Sequence, residues 1–495
     1  MNNKLTYEEL KLGEMAKEAF FRGESPFEIE NKYPIYLNTQ EVFAGLNVTD
    51  FAIASVLGGL NALYVGDTGT GKSQLSQDFF NYYFGGNVVS TKEKDPEDPK
   101  KEIIKITGNS VKIRGKPELD IYEEVYRDLN MIEGKWVPNI NIQAKYHFLD
   151  ELNRCPPVTQ NQFFGLGDGF LEHKGMKLPI GSNGYAVTNA TANLGNGEFG
   201  GTFDTDKALY SRFAITLDFD YKQFSPTMED RMVIDFLRAA NPKIKEAPIR
   251  DISHKIIAAE KIISEKSTDL GLEADAAINY IKFGLENCFN TNIASKEKNW
   301  PKQCQDCDNN TDGSAICSQI RSPLPRTINS LRKYAAALDF LINLKNPKIQ
   351  YDATDLVFKA FEISGAYQRI LNPSVLRQKY SDQNPKMIKD VVEILKKDFR
   401  ENSDLIVTYF ESIKDGTVSD YFFDLDDDKN IITKTIGSGY SGLIPTAKSK
   451  VIKFESGMDK ICTDNRPIGL SWVREQSKLY KKLLELQKDN AKAKK

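Results

Sequence analysis

Residues 61–84 read Asn-Ala-Leu-Tyr-Val-Gly-Asp-Thr-Gly-Thr-Gly-Lys-Ser-Gln-Leu-Ser-Gln-Asp-Phe-Phe-Asn-Tyr-Tyr-Phe. Asn61–Val65 is a short apolar run suited to a buried strand. From Lys72 to Phe84, Leu75, Phe79 and Tyr82 or Tyr83 fall on one side of a helix. Between them lies a G-x-x-x-x-G-K-S string: Gly66, Asp67, Thr68, Gly69, Thr70, Gly71, Lys72 and Ser73. Glycines at this spacing let backbone N–H groups wrap a polyphosphate, and the following helix points its positive end at the same charge. Lys72 is placed to reach the β- and γ-phosphates, and the Ser73 hydroxyl to ligate Mg²⁺. A Gly-rich turn with a chance Lys-Ser is the bland alternative, and the strand–loop–helix setting argues against it.

A second string completes the pattern. Residues 146–154 read Tyr-His-Phe-Leu-Asp-Glu-Leu-Asn-Arg, an apolar run ending in two carboxylates. Ligands of open α/β sheets sit beyond the carboxyl ends of strands, where Asp150 and Glu151 fall. Asp150 can hold magnesium through its water shell, and Glu151 can orient and polarise an attacking water. Alone, the pair would read equally well as a solvated strand end. With the upstream loop it points to binding of a nucleoside triphosphate with Mg²⁺, and to its hydrolysis.

The stretch 150–160, Asp-Glu-Leu-Asn-Arg-Cys-Pro-Pro-Val-Thr-Gln, resembles the D-E-I-N-R-A-P-P-x-T-Q segment of MoxR-type AAA+ ATPases. The likeness takes in Glu41-Val-Phe-Ala-Gly45, and Phe170-Leu-Glu-His-Lys-Gly175, which looks like that family's hairpin insertion after helix 2. It continues through Asn189-Ala-Thr-Ala-Asn193, Gly197-Glu-Phe-Gly-Gly-Thr-Phe203 and Ala208-Leu-Tyr-Ser-Arg-Phe213, ending near residue 372. The resemblance implies a P-loop NTPase core, a parallel sheet with flanking helices, followed by an α-helical lid. It implies that Asn193 is a sensor beside the γ-phosphate and attacking water. Arg212 matches an arginine finger offered to the neighbouring subunit's nucleotide, worth on the order of 10³–10⁵ in rate. Arg326, in Ser322-Pro-Leu-Pro-Arg-Thr327, matches the lid's sensor 2 arginine. Ser211 stands where the family has Asp, and Leu194 where it has Pro. The resemblance further implies a homo-oligomeric, hexameric ring that uses ATP to remodel or mature a protein client. A von Willebrand factor A domain protein is one candidate client by that analogy.

Length and composition set the frame. At 495 residues the chain suggests three or four domains, and 40% apolar with 27% charged residues is ordinary for a globular protein. A net charge of −3 gives no overall pull toward nucleic acid or an anionic membrane. The apolar stretch Phe51–Val65 is too short to span a bilayer. The beginning of the chain lacks an apolar signal core, so a cytoplasmic location is expected. Two rival functions remain open: a nucleotide-gated scaffold with little turnover, and a DNA-directed AAA+ motor, which would want a basic stripe not evident outside the terminal lysines.

The expected segments are a helical lead-in (1–35), the nucleotide domain (36–230), a helical lid (231–372) and a mixed α/β C-terminal extension of unknown role (373–495). Thr91–Glu102 reads as a charged, Pro-broken loop leading to a strand at Ile103–Ile106. The acidic run 426–430 reads as a hairpin turn, since it lacks an EF-hand's glycine and terminal Glu. Cys288, Cys304, Cys307 and Cys317 fall within thirty residues, with Cys304 and Cys307 at metal-gripping spacing. A structural Zn²⁺ held by all four is one reading; free thiols, a redox pair or an iron–sulfur cluster are the others.

Overall fold

The computed structural model describes residues 4–23, 36–94, 102–130, 135–173, 176–193, 207–238, 248–284 and 316–401, with residues 100, 203, 403 and 407 and the short strands 424–425 and 431–432 besides. By internal contacts the chain forms two compact units. The first takes residues 1–268 and 330–351, and the second takes 269–329 and 352–495.

The first unit is built on a five-stranded parallel sheet: β1 (Ala62–Val65), β2 (Ser110–Arg114), β3 (Tyr146–Asp150), β4 (Val187–Ala192) and β5 (Ile215–Asp218). Their spatial order is β5-β1-β4-β3-β2. β1, β3 and β4 are buried along their whole length; β1 and most of β3 accordingly read as apolar runs, whereas β4 buries Thr188, Asn189 and Thr191 as well. This is the α/β architecture expected from the sequence, a parallel sheet flanked by helices. Helix α1 (Val48–Leu57) leads into β1 and is buried at every position. Its start is fixed by a reciprocal cap, in which Asn47 Oδ1 accepts from the Asp50 N–H and Asp50 Oδ2 accepts from the Asn47 N–H. Helix α2 (Lys72–Asp78) follows the glycine loop. The helix expected to run to Phe84 does continue, but Phe79–Tyr83 widens into a π-helical turn closed by the Phe84 N–H to the Phe79 carbonyl. The wider turn seats large rings: Phe79 packs on Tyr83 and Tyr146, and Phe84 stacks on Tyr146 at 5.0 Å.

The strand expected at Ile103–Ile106 is present as Glu102–Thr107, but Thr91–Lys94, expected as loop, is strand as well: Val89–Lys94 and Glu102–Thr107 form a hairpin, paired antiparallel from Val89↔Thr107 to Lys94↔Glu102. Ile104 and Ile106 stand exposed there, and the edge of the core sheet is taken by β2. The hairpin expected after Phe170 is present, with Phe170↔Pro179 through His173↔Met176 in register. It follows the short helix α3 (Phe164–Asp168) through Gly169, which adopts the left-handed φ of 80° that glycine tolerates. The lead-in helix Glu14–Phe21 packs on Met228–Arg238, where Ala16, Leu37 and Val233 are buried together.

The described part of the second unit is mostly helical. Leu272–Gly284, Ala353–Gly365 and Asn384–Glu401 pack together through Tyr280, Phe358 and Phe399. The buried positions of the last helix, Met387, Ile388, Val391, Val392, Leu395 and Phe399, recur every three or four residues. Residues 424–425 and 431–432 pair antiparallel around the acidic run, whose own residues lie outside the described ones. Among the described residues no helix is long and apolar enough to cross a membrane.

Candidate active site

The register of the sheet gathers the candidate residues. Val65 is level with Ala192 and Asp218, while Leu149 is level with Ala190 and Ile113. Gly66, Asn193 and Asp220 therefore leave one carboxyl edge together, with Asp150 closing its own strand there. Because β4 lies between β1 and β3, the glycine loop and Asp150 start two strand spacings apart, about 10 Å. The side chains close that gap: Ser73 Oγ donates to Asp150 Oδ1 at 2.8 Å. Thr191 of the intervening strand donates to the same oxygen at 2.9 Å, and its hydroxyl accepts the Glu151 N–H at 3.0 Å.

The loop itself is shaped by three positive-φ glycines, Gly66 (138°), Gly69 (81°) and Gly71 (92°). Gly71 is doubly constrained, since a Cβ there would lie 2.6 Å from Tyr36 Cε2. A Cβ at Gly69 would meet nothing within 4 Å, so that side of the loop faces open space. Lys72 Nζ donates to the carbonyls of Gly66 (2.9 Å) and Asp67 (2.5 Å) and to Thr70 Oγ1 (3.2 Å). Burial pushes its ammonium below the usual lysine range, and the carboxylates of Asp220, Asp67, Asp218 and Asp150 oppose that shift. Asp220 also accepts the Asp67 N–H with both oxygens, at 2.9 and 2.8 Å, and so pins the start of the loop.

Glu151 sits in the left-handed region at φ 58°, unusual for a residue with a side chain. Its neighbours hold it there. Its carbonyl accepts the Arg154 N–H, its N–H is taken by Thr191, and a Cβ on Gly115 would stand 2.2 Å from its carbonyl oxygen. The carboxylate is flanked by Arg154 at 3.0 Å and by Arg114 Nε at 3.4 Å. Lys112, two residues before Arg114 on β2, brings Nζ within 3.7 Å of Asp150 Oδ2 while donating to Gln77 at 3.0 Å. Lys112, Arg114, Thr191 and Asp220 were not singled out from sequence. The Val111-Lys-Ile-Arg114 alternation was the available signal for the first two.

Asn193 follows β4, its backbone clamped by the Asn153 side chain, which donates to its carbonyl at 2.8 Å and accepts its N–H at 3.3 Å. Arg212 lies against α3. Its Nε and Nη2 both donate to Asp168 Oδ2, at 3.0 and 2.9 Å, and its guanidinium sits 4.3 Å from the centre of the Phe164 ring. Arg326 is an exposed residue at the start of the helix Pro325–Lys345, in the part belonging to the second unit. Cys288, Cys304 and Cys307 lie outside the described residues, as does the side chain of Cys317. Among the described residues no cluster of three or more His, Cys, Asp or Glu gathers to hold a metal.

The donor set suits a nucleotide with magnesium. A hydroxyl and a carboxylate oxygen 2.8 Å apart are hard-oxygen ligands of the kind Mg²⁺ takes, and the loop is open where phosphate would approach its N–H groups. No protein-family model matches the chain, and no curated protein matches it. Among solved structures, a protein of Cytophaga hutchinsonii described as a “putative ATPase” is similar over 77% of this chain and 95% of its own, at 12% identity and a TM-score of 0.46.

Proposed function

We propose that the protein is a MoxR-like AAA+ ATPase that hydrolyses ATP to remodel or mature a protein partner. The observation that carries the ATPase reading is the 2.8 Å contact of Ser73 with Asp150, which joins the glycine loop to the acidic strand end across β4. The loop N–H groups and Lys72 hold the phosphates, while Ser73 and Asp150 place the metal. Bound Mg²⁺ would neutralise charge on the phosphate oxygens. Glu151 takes the proton of the attacking water, and Arg114 and Arg154 fix where its carboxylate points. In this reading Asn193 lies near the γ-phosphate, Arg212 serves the next subunit's nucleotide in a ring of six, and Arg326 reports to the lid. A protein client, such as a von Willebrand factor A domain protein, is the matching partner, and the cytoplasm the matching location.

The test is Glu151→Gln, assayed for phosphate release and for ATP binding. It should bind ATP and assemble, yet turn over about 10²–10⁴-fold more slowly. Unchanged hydrolysis would remove Glu151 from its assigned role.

A further inference from the structure

Arg212 is not presented outward. Its Nε and Nη2 converge on one oxygen of Asp168, Nη1 donates to the Ala208 carbonyl at 3.0 Å, and the guanidinium covers the face of Phe164. The side chain retains only 18% of its exposure. The backbone is shaped to allow this: a Cβ on Gly167 would fall 2.7 Å from Arg212 Cβ, so only glycine lets the arginine lie across α3. The Nε–Nη2 edge is the fork with which an arginine grips carboxylate or phosphate oxygens in pairs. Here that fork is already occupied.

We infer that Asp168, seconded by Phe164, is a latch that holds Arg212 within its own protomer, and that trans action requires phosphate to replace carboxylate on the same fork. The inference rests on the finger role proposed above. A charge-assisted, half-buried pair with a stacked ring strongly favours the held state, so the released arginine is a minor population until it is captured. Asp168 is thus a positioning residue that touches no nucleotide and sets how much of the finger is available.

The experiment measures ATP turnover against protein concentration for Arg212→Ala, Asp168→Asn, Phe164→Leu and the Arg212→Ala/Asp168→Asn double variant. Arg212→Ala should lose on the order of 10³-fold in kcat. Asp168→Asn should gain roughly 5-fold in kcat at assembling concentrations, with KM for ATP unchanged because its own cradle is untouched. Phe164→Leu should gain less, and the double variant should be as slow as Arg212→Ala. If Arg212→Ala keeps full turnover, the finger role itself fails. If Arg212→Ala is slow while Asp168→Asn and Phe164→Leu stay at or below the parent rate, the latch is overturned and the finger stands.

Discussion

His147 is the centre of the most quantitative expectation. It lies on β3 with no exposed surface, and neither ring nitrogen makes a hydrogen bond of good geometry. Burial pushes its pKa down from the ordinary 6.5 to about 4, against the opposing effect of the Val187 backbone. The fold therefore holds the neutral imidazole. The unfolded chain takes up its proton first, so stability begins to fall as pH drops below 6.5, and the loss is complete only near pH 4. At 1.36 kcal/mol per unit the full penalty is about 3 kcal/mol, of which about 2 kcal/mol has appeared by pH 5. For a unit of this size that corresponds to a fall of roughly 3 °C in Tm. The assay is thermal unfolding by circular dichroism between pH 7.5 and 5.0, without nucleotide, on the parent and on His147→Leu. The variant should be near the parent at pH 7.5 and lose about 2 kcal/mol less by pH 5.0. Equal losses in both proteins would show that the imidazole does not carry the buried penalty assigned to it.

Two other substitutions probe the site directly. Gly71→Ala forces a side chain into φ 92° and against Tyr36, costing on the order of 1–3 kcal/mol, and should abolish binding of a fluorescent ATP analogue in equilibrium titration. Thr191→Val removes the hydroxyl shared by Asp150 and the Glu151 N–H; kcat should drop at least about 10-fold with ATP affinity little changed, and an intact kcat would exclude a bridging role.

The parts legible in the sequence were those whose chemistry is local. A phosphate loop must spend consecutive residues on glycine, lysine and hydroxyl, and β1 and β3, buried on both faces, are largely apolar up to the carboxylates that end β3, so residues 61–73 and 146–151 declare themselves. β2 did not, because Ile103, Ile104 and Ile106 carry the stronger β-branched signal while Ile104 and Ile106 are exposed on a hairpin. Ser110-Val-Lys-Ile-Arg114 alternates instead: Val111 and Ile113 are buried, while Lys112 and Arg114 carry their charges to the acidic pair. Nothing within five residues of Lys112 reveals that Asp150 is its neighbour. That follows only from parallel pairing of β2 with β3.

The same non-locality explains why Glu151 can hold a strained conformation. A left-handed residue with a side chain costs about 1–3 kcal/mol, and it persists only where the surroundings over-determine it. Here three separate parts of the chain do so: Thr191 from β4 takes its N–H, Arg154 from the following turn takes its carbonyl, and Gly115 after β2 abuts its backbone. The turn this enforces directs the chain away from β3 immediately after Asp150, so that the two adjacent carboxylates meet different partners. Asp150 meets Ser73 and Thr191, while Glu151 meets Arg114 and Arg154. A regular continuation of the strand would separate adjacent side chains onto opposite faces of the sheet. The separate surroundings of the two adjacent carboxylates are thus built by backbone conformation, and their supports come from segments that sequence distance keeps apart.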